Sequence, residues 1–430
     1  MRKIFTLLFL TTFWVFSCTQ SIETLPEPTI TSISPEIGRL GTLLTITGKD
    51  FNANPADNSV IINGKAITVK TATTTQLTVV IPKAIGTGEV VVESNGRTTR
   101  GPKFTYEFVV TGVSTIAGSS FGFADGRGSG AKFAYPHTVI LDRAGNIIVA
   151  DSGNNRIRKV TPEGVVTTLA GADAAGFADG VGTVARFSFP TGVAMDTDGA
   201  IIVADYANDR IRKINQAGTV TTISGGKTGY ADGLVSVAQF SYPTGVVVDA
   251  DGNIIIVDRA NHAIRKIQNG VVSTLAGGDG GGFADAVTSF AKFLYPTAVS
   301  IDADKNLIVV DWNNHRIRKI NAVGKVTTIA GSGQIGRTNG TALSAMFDYP
   351  AGLVIDKAGN MIIADEMNHL IRKISTAGIV TTLAGSTEGS TDGDISSAKF
   401  ARPTGVVVDA SGNIIIADSH SHRIRKIEVE

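Results

Sequence analysis

The sequence predicts an all-β protein: a small antiparallel sandwich, then a six-bladed β-propeller closed by a strand from the propeller's own N-terminal end. Three observations predict it. First, one phrase recurs six times. The fifth copy, from Pro350, reads PAGLVIDKAGNMIIADEMNHLIRKI, and the others begin at Pro136, Pro190, Pro243, Pro296 and Pro403. Successive starts lie 54, 53, 53, 54 and 53 residues apart, a period that belongs to solenoids and propellers. Second, each copy holds four β-like runs divided by turns. Third, the last copy stops after its third run, at Ile427-Glu428-Val429-Glu430, while a spare fourth run, Val113 to Gly118, precedes the first copy. A strand borrowed across the ring would complete the last blade and remove its open edge.

In chain order, Arg2 and Lys3 precede an apolar run from Ile4 to Phe16. It is too short to span a bilayer and reads as a secretory signal. The run ends Val15-Phe16-Ser17-Cys18, which resembles the lipobox of bacterial lipoproteins. That resemblance implies cleavage after Ser17 and lipidation of Cys18, the single Cys of the chain. Several acyl chains together anchor stably, so the lipid is the expected membrane contact. Thr19 rather than Asp after the Cys favours, by the known sorting rule, the outer membrane. Residues 1–17 are therefore read as signal peptide and 18–28 as lipidated Cys and tether.

Residues 29–108 carry short β-branched runs at Leu43–Thr47, Ser59–Ile62, Gln76–Ile81 and Glu89–Glu93, broken at Asn63-Gly64, Gly86-Thr87-Gly88 and Asn95-Gly96. Seven or so short strands in that length suit an antiparallel sandwich. The opening Pro28-Thr29-Ile30-Thr31-Ser32-Ile33-Ser34-Pro35 and the stretch Gly41 to Phe51 resemble the IPT/TIG family of immunoglobulin-like domains. The resemblance implies a spacer or protein-contact module.

Residues 109–430 form the propeller. In the second blade the runs are Thr191–Asp196, Ala200–Asp205, Arg210–Ile214 and Thr219–Ser224, a four-stranded sheet. Middle strands such as Asn253–Val257 are apolar on both faces, as sheets sandwiched between neighbours require. Asn261-His262, Asn314-His315-Arg316-Ile317, Asn368-His369-Leu370 and the Gly-Phe-Ala-Asp-Gly loops at 122–126 and 176–180 resemble the NHL-repeat family. That family includes RNA binders, protein binders, sensors and a few lyases, so fold carries over and activity does not.

Composition excludes little but is useful. Lys+Arg 39 against Asp+Glu 38 gives no electrostatic reason to expect nucleic acid. Slot comparison sorts the rest. Asp151, Asp205, Asp258, Asp311, Asp365 and Asp418 share one slot, and Arg158, Arg212, Arg265, Arg318, Arg372 and Arg425 another. Sixfold identity favours architecture: Asp accepting turn amides, or pairing with Arg between blades. His262, His315, His369 and His422 share a slot one blade apart, so they form no metal cluster. The amidating lyases similar to this fold carry a multi-histidine zinc site, which this chain cannot supply. The Asp-x-Asp-Gly turns at 196–199 and 249–252 lack the further ligands of a calcium loop. No metal, cofactor or catalytic residue is expected.

Function is sought where the frame varies. After the strand-end Asp stand Ser152, Tyr206, Arg259, Trp312, Glu366 and Ser419, followed by residues that include His420. After the repeat Pro stands His137 where the others have Thr or Ala. Before it stand Tyr135, Phe189, Tyr242, Tyr295, Tyr349 and Arg402, a slot read as anchoring a long loop. One face should gather Tyr206, Trp312, Arg259, Glu366, His137, His420 and Arg402 at the channel mouth, as a candidate ligand site. Scattered surface side chains are the equal alternative. The leading expectation is a monomeric, non-enzymatic, lipid-anchored cell-envelope protein binding a glycan or an envelope protein partner. It resembles surface lipoproteins of glycan-uptake systems in gut-type Gram-negative bacteria. A protein-contact scaffold is the second expectation. A lyase or hydrolase using His137 or His420 with Glu366 is the third.

Overall fold

A computed structural model describes residues 26–83, 85–107, 109–278 and 280–429. The signal segment and Cys18 lie outside the described residues. The chain divides into two compact units at Tyr106/Glu107. Among the described residues there is no α-helix, and no helix long and apolar enough to cross a membrane.

The first unit is immunoglobulin-like. Its strands pair in the order Thr29–Ser34, Leu43–Lys49, Gln76–Val80, Lys65–Ala72, Asn58–Ile62, Gly88–Ser94, Arg97–Tyr106 and Ile37–Gly38. All pairs are antiparallel except the last, Ile37–Gly38 against Thr105–Tyr106. Alternation places Leu44, Ile46, Leu77, Val79, Val90, Val92 and Phe104 inside, fully buried. Gly101 lies so close to Ile30 that a Cβ would collide, which brings the first strand against the seventh.

The second unit is a six-bladed propeller. Blade 2 is typical: Pro190–Met195 innermost, then Ile201–Asp205, Arg210–Ile214 and Thr219–Gly225, all antiparallel. A fifth, two-residue strand edges the blade, Gly180–Val181 against Thr219–Val220. Blades 1, 3 and 5 have the same addition, too short to leave a periodic signal in the sequence. In blade 6 the fourth strand is Val110–Ala117, antiparallel to Arg423–Val429, so the ring closes as the repeat count implied. Reciprocal Val113–Gly393 amide bonds of 2.8 and 2.9 Å cover the outer side of that strand.

The cores lie between blades. Ile148, Ala150 and Ile157 of blade 1 pack with Val193, Val203 and Ile214 of blade 2 around Phe187. Five similar clusters complete the circuit, including Ile415, Ala417 and Ile424 against Val139, Val149 and Phe133 across the closure. Each buried Phe contributes roughly 1.5–3 kcal/mol.

The Asp and Arg slots meet within a blade, not between blades as one expectation had it. Arg158 donates to Asp151 at 2.6 Å and to Asp125 at 2.7 Å, the latter from the loop that edges the same blade. Asp151 also accepts the Ala134 amide and the Asn154 amide group. Asp179, Asp232, Asp285 and Asp392 repeat the outer role, and Asn339 replaces them in blade 5. Burial pushes Asp151, Asp258, Asp365 and Asp418 up to about 6 against the pull of their arginines, so they stay ionised at neutral pH.

The His slot joins neighbouring blades. Each of these residues closes the single 3-10 turn after the second strand, in the left-handed region. Nδ1 of His262, His315, His369 and His422 accepts the backbone amide of Tyr295, Tyr349, Arg402 and Tyr135, the pre-proline residue of the next blade, at 3.0–3.3 Å. Asn155 and Asp209 do the same for Phe189 and Tyr242 with a side-chain oxygen. The shared requirement is an acceptor on a residue that tolerates positive φ.

Candidate functional site

The same 3-10 turn places the variable residue. It begins immediately after the strand-end Asp in all six blades, so its first side chain, Ser152, Tyr206, Arg259, Trp312, Glu366 or Ser419, occupies one position around one face of the ring. Beneath, the inner strands approach closely: a Cβ at Gly192 or Gly352 would strike the carbonyl of Thr244 or Thr404 in the next blade. Thr297 donates to the Ala351 carbonyl at 2.9 Å and Thr404 to the His137 carbonyl at 2.7 Å, lacing blades together at the axis. Thr244 has no such partner.

The mouth is a cavity of about 250 Å³ that continues into an apolar channel of about 230 Å³ between the inner strands. Six of the seven expected residues line the mouth: Tyr206, Trp312, Arg259, Glu366, His137 and His420. Arg402 does not. Its backbone is held at φ 49° with the amide on His369, and its charge lies beside Glu366 and His420 without lining the cavity. Tyr135 and Phe189 line the mouth as well. The pre-proline slot thus carries the latch amide in every blade, and in blades 1 and 2 its ring also lines the mouth.

Four of the six slot residues touch in sequence, over blades 2 to 5. Arg259 Nη1 lies 3.5 Å from Tyr206 Oη. Its guanidinium stands 4.9 Å over the Trp312 ring and 5.4 Å over Tyr295. Trp312 Nε1 donates to Glu366 Oε2 at 3.0 Å. Tyr242 and Phe189 flank Tyr206 at 4.8 and 6.1 Å, Tyr349 lies 4.4 Å from Trp312, and Tyr135 lies 5.2 Å from His420. Tyr135, Phe189, Tyr242 and Tyr295 remain 38–43% exposed, an open aromatic rim. A rim of π-faces with a few fixed polar groups is suited to a ring-shaped, hydroxylated ligand.

Electrostatics set protonation states. The channel wall shields the partly exposed His137 imidazole from bulk water and Arg259 adds its charge, so its pKa falls to about 4 and the ring is neutral at pH 7. Burial raises Glu366 above its ordinary value although Trp312, Arg402 and Arg259 pull it down. His420 is lowered by burial and by Arg402. Among the described residues no group of three His, Cys, Asp or Glu is placed to hold a metal ion.

Comparison with known proteins agrees with this architecture. The IPT/TIG domain family matches residues 28–106, and the NHL repeat family matches 133–160, 187–214, 240–267, 293–320 and 400–427. The chain therefore carries an IPT/TIG domain followed by NHL repeats folded as a six-bladed propeller. Human NHL repeat-containing protein 2 is 26% identical over 341 residues, covering 69% of this chain and 47% of that protein. The chain thus spans about half the length of the curated relatives it matches. A Bacteroides thetaiotaomicron protein of unknown function has the same fold, with a TM-score of 0.69 at 22% identity over 95% of this chain and 99% of that one. An auxiliary nutrient binding protein of the same organism has a TM-score of 0.59 at 18% identity, covering 94% and 98%. At these identities the likeness is one of fold.

Proposed function

We propose that the protein is a non-enzymatic, lipid-anchored cell-envelope binding protein whose propeller mouth takes a glycan. The observation that carries the reading is the unbroken side-chain chain Tyr206–Arg259–Trp312–Glu366 under an open rim of aromatics. Aromatic faces bind sugar rings, and the fixed polar atoms between them give direction. The auxiliary nutrient binding proteins of two Bacteroides species that share the fold support the class of role. Calorimetric titration of a glycan panel tests it: at least one glycan binds, and Trp312→Ala abolishes that binding. A broad panel with no binder overturns it. Anchoring is tested separately, by incorporation of labelled palmitate into the natural chain and its loss in Cys18→Ala.

A second reading is a protein-contact scaffold of an envelope complex. It is favoured by large apolar side chains exposed on the loops that edge the blades, including Phe121, Phe123, Phe177 and Phe283. A stoichiometric partner that co-purifies and is insensitive to Trp312→Ala would select it.

A further inference from the structure

Every arginine of the repeat slot is spoken for. Arg158, Arg212, Arg265, Arg318 and Arg425 each hold two carboxylates, and Arg372 one carboxylate and Asn339. Arg259, at the mouth, differs. Among the described residues no carboxylate forms an ion pair with it, and its one side-chain hydrogen bond is the long contact to Tyr206 Oη. A guanidinium offers five N–H donors in a rigid fork. Here the fork is held over Trp312 and beside Tyr295, which fixes its plane and leaves donors free towards the cavity it lines.

Among the described residues a single acid lines the mouth, Glu366, which feels the Arg259 charge but shares no ion pair or hydrogen bond with it. Glu366 accepts from Trp312 Nε1 and has Arg402 beside it. Asp348, close behind Glu366, adds negative charge on the blade 5 side. The mouth is therefore polarised, with a cation that has no acid partner on blade 3 and acids two blades away on blade 5, Trp312 standing between them.

Resting on the glycan reading above, we infer that the saccharide is an acidic one, bearing carboxylates such as those of uronic acids, and that Arg259 is its anchor. A carboxylate matches the fork bidentately, which a neutral hydroxyl cannot do and a lysine cannot imitate. The aromatic rim would take the sugar faces, and the acids of blade 5 would orient the carboxylate towards blade 3.

The test uses the full-length protein in detergent, titrated calorimetrically with a panel of uronic acid oligosaccharides, the methyl esters of the same compounds, and neutral oligosaccharides. At least one acid should bind more tightly than its ester, by about tenfold or more. Arg259→Gln should remove that advantage, weakening the acid by about tenfold or more relative to its ester, and Arg259→Lys should restore only part of it. Raising the salt concentration should weaken the acid and spare the ester, a readout that needs no variant. Equal affinity for acid and ester, or binding of neutral glycans alone, overturns this inference and leaves the glycan reading standing. Absence of binding by every saccharide overturns both.

Discussion

Arg265 and Arg259 stand on the same blade and teach opposite lessons. Arg265 is fully buried, bonded to Asp258 and Asp232, and recurs in all six blades. Arg259 is half-buried, has no acid partner among the described residues, and has no counterpart in any other blade. The first holds a second strand, a third strand and an edging loop in one blade. The second projects into the ring's mouth. The difference shows that a repeat fold separates its tasks by slot: what must hold every blade is the same in each, and what meets a ligand is free to differ.

The strongest way to break this comparison is to exchange the two fates. Asp258→Ala leaves a buried guanidinium with half its pairing and should lower unfolding free energy by about 3–5 kcal/mol in urea titration. Arg259→Gln should change it by no more than about 1 kcal/mol, since it removes one long hydrogen bond and two ring contacts but no ion pair. Equal losses from the two would show that Arg259 is architectural after all.

The inter-blade latches come next. His315→Leu removes the acceptor for the Tyr349 amide and puts a branched side chain at φ 53°, so a loss of about 1–3 kcal/mol is expected. His315→Asn should be nearly silent, since Asn155 does the same work in blade 1. The latches also make a pH prediction. Burial lowers the latch imidazoles below their ordinary 6.5, so the folded chain resists protons that the unfolded chain accepts. Their stability is complete above 6.5 and is lost as pH falls through and below it. A variant with Asn at positions 262, 315, 369 and 422 should lose less stability between neutral and mildly acidic pH than the natural chain. An unchanged slope would remove the latch from the account.

Two threonines give a smaller contrast. Thr297→Val deletes the bond to the Ala351 carbonyl and should cost about 1 kcal/mol, whereas Thr244→Val removes an unpartnered buried hydroxyl and should be neutral or stabilising. At the small end, protonation of Glu366 should perturb Trp312 emission with a midpoint above the ordinary carboxylate 4.5, and Glu366→Gln should abolish that titration.

Much of this was legible in the sequence because a repeat supplies its own control. Six copies set the blade count, and the displaced fourth strand at Val113–Gly118 foretold closure. The roles of shared slots were legible only in outline. The spacing of Asp151 and Arg158 allows pairing between blades, whereas register puts Arg158 diagonal to Asp151 across adjacent strands of one sheet. The outer partner, Asp125 of the Gly-Phe-Ala-Asp-Gly loop, was in plain view: it recurs with the Arg in five blades. The two-residue edge strands were not legible, because so short a run has no period. Comparison of slots could assemble the mouth residues but not their contacts. That Trp312 reaches Glu366, that Arg259 stacks on Trp312, and that Arg402 stays outside the opening depend on side-chain reach between blades, which no one-dimensional spacing encodes.

The central claim is that the varying slot is a binding site, and Trp312 reports on it directly. The chain has 2 Trp, and the other, Trp14, lies in the expected signal segment. Emission from protein lacking residues 1–17, titrated with the glycan panel, therefore watches the mouth alone. The account predicts a saturable change with at least one glycan, retained in His315→Asn and reduced in Arg259→Gln. Emission that stays flat across the whole panel would contradict it.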